Sequence, residues 1–178
     1  MCSSDLLVYH ILRQKTLDPA AARCGQIWWR PSGGLGKFTM FKEPANQNAF
    51  SATTRGIRVI AQPFYLDEQS VPDRSQFVWA YRIEIINDGD EVVRLESRTW
   101  SITDAKGVTQ EVHGPGVVGE FPRLEPGESF TYTSGVPLSE PSGVMSGSYQ
   151  MVSEAGDHFD IEIPAFSLDS PFATGRLN

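Results

Sequence analysis

The feature that most constrains this chain is a strict two-residue alternation in the run Phe77-Val78-Trp79-Ala80-Tyr81-Arg82-Ile83-Glu84-Ile85. Phe77, Trp79, Tyr81, Ile83 and Ile85 fall on one side of that run, and Arg82 and Glu84 fall on the other. Successive side chains of an extended strand project to opposite faces. The spacing therefore predicts a strand with one face in a hydrophobic core. A slip of one residue would bring three aromatic rings into water together, so the register is firmly set.

The same period recurs along the chain. Ile57, Val59 and Ala61 alternate with Arg58, Ile60 and Gln62 in a strand read over residues 54–66. Pro63 places the end of that strand at a sheet edge or a bulge, because proline cannot donate to a ladder. Val92-Val93-Arg94-Leu95-Glu96 leads on to Trp100-Ser101-Ile102 with a change of apolar parity, which implies a bulge near Ser97 and Arg98. Further strands are expected at Val108-Thr109-Gln110-Glu111-Val112, at Ser129-Phe130-Thr131-Tyr132-Thr133, from Gly147 to Ser153, and at Phe159-Asp160-Ile161-Glu162-Ile163 before Pro164. Turn chemistry separates them: Asn87-Asp88-Gly89-Asp90, with Gly89 free to take a positive φ, then Asp104-Ala105-Lys106-Gly107 and Glu125-Pro126-Gly127-Glu128. About seven strands with short links, and no helical period beyond Met40, indicate an all-β antiparallel β-sandwich of immunoglobulin or fibronectin type III character. The Cys…Trp…Cys pattern of antibody domains is missing from the sequence.

A chain of 178 residues suggests one domain, or one domain and a tail, and 40% hydrophobic residues can build its core. A formal charge of −7 makes nucleic acid and anionic membrane surfaces poor partners. Cys2 and Cys24 form no disulfide framework or metal motif, so reduced thiols and a cytoplasmic location are expected. No stretch is apolar over the ~18 residues a membrane helix needs. The short run from Leu6 to Leu12 follows Asp5 and lacks the basic start of a signal peptide. The composition divides near Met40. Residues 1–39 hold both cysteines and five basic against two acidic side chains, so the acidic excess lies wholly beyond them. Two readings of residues 1–39 stand: an N-terminal extension of a domain spanning residues 40–178, or upstream sequence preceding a true start at Met40.

Beyond that boundary the segments TRGIRVIAQPFYL at 54–66, FVWAYRIEIIN at 77–87, RTWSITDAKG at 98–107, EVHGPGVVGEFPRLEPGESFTYTSGVPL at 111–138 and SGSYQMVSEAGDHFDIEIPAFSL at 146–168 carry a resemblance to the bacterial ApaG family. It implies a fibronectin type III-like sandwich, in agreement with the strand pattern. It also implies an association with cobalt and magnesium resistance or efflux. Related domains in F-box proteins and in a polymerase-delta-interacting protein imply an interaction module rather than an enzyme, with an unidentified protein partner or a small ligand and no cofactor.

One motif invites a chemical reading. Gly114, Gly116 and Gly119 give the spacing G-x-G-x-x-G, which the resemblance marks as a pyrophosphate-binding motif. A dinucleotide fold needs a helix N-terminus directly after such glycines. Pro122 and Pro126 prevent one here, and Pro115 removes a backbone donor. Two readings remain: an anion- or nucleotide-binding nest of glycine amides, assisted by Arg123 and opposed by Glu120, or a tight connection that needs positive φ. Metal binding has little to stand on, because His113 and His158 are far apart in sequence, though Glu111, Asp157 and Asp160 lie near them. No G-x-S-x-G occurs, so no catalytic residue is assigned. Trp79, Trp100, Phe77 and Tyr81 are read as core rather than as a stacking platform for bases.

Overall fold

A computed structural model describes residues 49–173. The division at residues 39 and 40, both cysteines and the Met40 start therefore lie outside the described residues. Among the described residues nine strands run in chain order: β1 (Phe50–Thr54), β2 (Ile57–Tyr65), β3 (Phe77–Asn87), β4 (Val93–Asp104), β5 (Thr109–Pro115), β6 (Arg123–Leu124), β7 (Ser129–Leu138), β8 (Ser142–Ser153) and β9 (His158–Asp169). They form two antiparallel sheets, β1-β2-β3-β7 and β5-β4-β8-β9, with β6 added beside β4.

The alternation in β3 is realised as a buried face. Phe77, Trp79, Tyr81, Ile83 and Ile85 all lie in the core, while Arg82 is exposed. They meet Leu95, Trp100, Tyr149, Met151, Ile161, Ile163 and Phe166 of the other sheet. Aromatic edges fill the space between layers: Tyr81 stands edge-on to Trp100 at 5.2 Å, and Trp100 edge-on to Phe166 at 6.1 Å. A buried polar link also crosses the core, where the hydroxyls of Tyr132 on β7 and Tyr149 on β8 are 2.6 Å apart.

Several boundaries differ from the sequence reading. The run expected over 54–66 is two strands. Arg55 and Gly56 take φ of 49° and 79°, making a two-residue hairpin turn that pairs Thr54 with Ile57. Pro63 lies past the last β1 pair, Phe50 with Ala61, where β2 has β3 alone beside it among the described residues. The bulge in β4 falls at Glu96, between the paired residues Leu95 and Ser97, one residue earlier than expected. There the Glu96 carbonyl accepts from the Gly116 amide at 2.8 Å. β9 continues through Pro164 to Asp169, because the register shifts there, between the pairs Met145–Phe166 and Gly147–Ile163. A proline at a bulge on a sheet edge leaves no ladder bond unmade. Gly89 is absent from the positive-φ glycines. It serves a close approach instead, since a Cβ on Gly56 would lie 3.0 Å from the Gly89 Cα.

Candidate functional site

The three glycines are treated differently by the fold. Gly114 lies within β5 opposite Arg98, and a Cβ there would lie 3.0 Å from the guanidinium. The bare backbone lets Arg98 lie across the strand end and donate to the carbonyls of Pro115 at 3.2 Å and Gly116 at 2.8 Å. Gly116 has φ of 56°, and a Cβ on it would stand 2.3 Å from the Glu120 carbonyl oxygen. Val117 and Glu120 then bond each other through both amides, at 2.9 and 2.8 Å. Between them Val118 and Gly119 take φ of 47° and 84°, the signature of a type I′ turn. Val118 is a β-branched residue in the left-handed region, a costly conformation.

No helix follows the turn, and residues 121–122 lead directly into β6. The amides of Gly116, Val117 and Glu120 are already bonded within the chain. The carbonyls of Pro115 and Gly116 point at a cation, the Arg98 guanidinium. What the turn presents is the side chain of Phe121, a large aromatic left 54% exposed. It borders an open groove of about 520 Å³, lined with Glu120, Phe121, Pro122, Arg123, Leu124, Glu128, Ser129 and Phe130.

This groove is the lip of the sandwich, where the turn and β6 on one sheet face the start of β7 on the other. Asn87, fully buried at the end of β3, ties its sides together. Its side-chain amide donates to the carbonyls of Glu91 at 2.8 Å and Leu124 at 3.1 Å. Its backbone N–H donates to the Glu128 carbonyl at 2.9 Å, and its carbonyl accepts from Gly127 at 2.7 Å. The turn before β7 is further closed by the Glu125 amide donating to the Glu128 carboxylate at 3.0 Å. Arg123 is occupied by Glu125 at 2.9 Å and Glu154 at 3.5 Å, and the hydrogen bond to Glu125 is the main cause that raises its pKa. Glu120 and Glu128 thus set the sign of the rim.

The histidines are not brought together. His113 on β5 contacts Thr99 at 3.0 Å, whereas His158 on β9 lies 3.2 Å from Glu96, across the same sheet. Among the described residues no three His, Cys, Asp or Glu side chains gather as a metal site, and no helix is long and apolar enough to cross a membrane. The sequence reading singled out the glycines and missed Phe121, Phe130, Asn87 and Arg98. Phe121 could have been found as an aromatic next to Pro122 in a turn-rich stretch, outside any alternating run.

A profile described as the ApaG domain matches residues 67–153, from the link before β3 to the end of β8. The protein named Protein ApaG from Paramagnetospirillum magneticum is 59% identical over 129 residues, 72% of this chain and 99% of that relative. The chain belongs to the ApaG family. Protein ApaG from Parvibaculum lavamentivorans is similar at 55% identity over the same shares of each chain. A crystal structure described as an ApaA protein from Bordetella pertussis matches with a TM-score of 0.64 and 46% identity, covering 65% of this chain and 94% of its own. The ApaG profile contains the whole glycine turn, Phe121, the groove and β7.

Proposed function

We propose that this chain is a non-catalytic ApaG-type binding module of the cytoplasm. It holds a partner protein or small ligand at the lip, and its physiological readout is cobalt and magnesium tolerance. The observation that carries this reading is Phe121, held half in water beside Phe130 over an open groove. The backbone on either side of it is tied down, by Arg98 at Gly116, by the Val117–Glu120 pair and by Asn87 at Leu124. Apolar surface kept exposed by a rigid scaffold is stabilised when a partner covers it. The link to divalent cations comes from the family, and the groove offers a way for it to act through a partner. A phosphate or nucleotide at Gly114, Gly116 and Gly119 would have the amides of Val118 and Gly119 to use, against the neighbouring carboxylate of Glu120.

Complementation tests the reading. In a strain lacking the gene, the wild-type chain restores cobalt tolerance and Phe121→Ser does not, although both fold with the same Tm. Full rescue by Phe121→Ser removes the groove from the function. NMR titration with inorganic pyrophosphate supplies the contrast, since saturable shifts confined to the amides of residues 114–119 would move the site to the glycine turn.

A further inference from the structure

Among the described residues β7 is an edge strand, with β3 on one side and an open row of backbone groups on the other. Its parity can be read from the backbone. Val78 on β3 donates to the Ser70 hydroxyl at 3.0 Å and accepts from the Leu66 amide at 2.9 Å. Both of its polar groups are therefore turned away from β7, so Val78 and Pro137 form a pair without ladder bonds. At the other end Asn87 donates to Glu128, a bonded pair of the opposite parity. Bonded and non-bonded pairs alternate in an antiparallel ladder. It follows that Ser129, Thr131, Thr133 and Gly135 direct their N–H and C=O groups outward, away from β3, and Pro137 lacks a donor on that same side. Among the described residues no strand pairs with this row.

Natural edge strands are usually guarded by charge. The edge strand β5 carries Glu111 and His113. β7 has ten residues and no charged one. Its open end begins at Ser129 and Phe130, which are themselves groove residues. A strand laid along β7 would run directly into the groove between Phe121 and Phe130. Resting on the binding reading above, we propose that the partner is an extended segment that adds to β7 as a strand, with an apolar side chain on Phe121 and a lysine or arginine beside Glu120 and Glu128. Charge selects this occupant over a second copy of the chain. The rim acids are not neutralised by Arg123, which is held by Glu125 and Glu154. Two copies would bring together chains of −7 each. Main-chain pairing supplies affinity in such complexes, and side-chain pockets supply selectivity.

The test uses the full chain and two acetylated eight-residue peptides alternating valine and threonine, one ending in two lysines and its twin in two glutamates. The lysine peptide should shift the amides of Ser129, Thr131, Thr133 and Gly135 and slow their hydrogen exchange. The glutamate peptide should bind about fivefold more weakly. Thr133→Pro removes one outward donor as Pro137 already does, so the β3 ladder survives and affinity falls about tenfold. Shifts confined to Phe121 and Phe130 would overturn strand addition while leaving the groove as the binding surface. Equal binding of both peptides, or no shift at millimolar peptide, would overturn the proposal. So would a dimer in sedimentation that Thr133→Pro converts to monomer, because the occupant would then be a second copy. Failure of the binding reading itself shows separately, as rescue of tolerance by Phe121→Ser.

Discussion

Trp79 and Phe121 sit in the same sandwich, one 1% and the other 54% exposed, and different physics fixes each. Trp79 is placed by alternation. It lies on the inward face of β3, with neighbours Tyr65 at 5.4 Å and Phe77 at 6.3 Å between ring centres. Phe121 is placed by hydrogen bonds and unusual backbone angles in residues around it, namely the Arg98 clamp, the type I′ turn at Val118 and Gly119, and the Asn87 hub. The interior thus tolerates changes that keep shape and hydrophobicity. The lip depends on particular donors, acceptors and glycines.

Substitutions can break or sharpen this contrast. Trp79→Ala should cost the most, about 3–5 kcal/mol in urea unfolding, as a large core side chain leaves a cavity. A loss under about 1 kcal/mol would contradict the inward face. Gly116→Ala should cost about 2–3 kcal/mol, from left-handed strain and overlap with the Glu120 carbonyl. Gly119→Ala has open space around its Cβ and should cost only about 1–2 kcal/mol. Equal effects at the two glycines would mean that the carbonyl contact is unimportant.

The tyrosine pair tests the interior's polar exception. Tyr132→Phe should cost about 1–3 kcal/mol by leaving the Tyr149 hydroxyl buried without its partner. Adding Tyr149→Phe should recover part of that loss. Burial is the main cause that raises both hydroxyl pKa values above the ordinary 10.0. The sign follows from linkage. Above pH 10 the unfolded chain loses protons that the folded chain keeps, so stability is full below that pH and falls as pH rises past it. The double phenylalanine variant should therefore hold its Tm to higher pH than the wild type. The smallest effect is expected at the turn tip, where Val118→Gly should stabilise by about 0.5–1 kcal/mol by relieving a left-handed valine. A destabilised variant would show that the packing of Val118 on the core outweighs its backbone strain.

The inward faces of β2, β3 and β9 were legible because a period of two is a local property that burial then uses. The absence of a helix after Gly119 was legible because Pro122 and Pro126 forbid one locally. The ends of strands were less so. The extension of β9 past Pro164 and the exact bulge in β4 depend on the pairing partner, which lies far away in sequence.

The candidate site divides the same way. The glycines stood out as a motif, yet their roles differ: Gly114 makes room for Arg98, Gly116 for the Glu120 carbonyl, and Gly119 completes a turn. Those roles arise from contacts between β4, β5 and the loop, which no spacing in the chain encodes.

By itself the sequence determined that this is an antiparallel β-sandwich with Trp79, Tyr81 and their alternating neighbours inside, because side-chain direction along an extended chain is decided residue by residue. Only the tertiary structure decided that Phe121 and Phe130 share a groove, and that β7 is an edge among the described residues, with its outward amides beside that groove. Those facts depend on which strands become neighbours, and pairing between distant segments is settled by the packing of the whole.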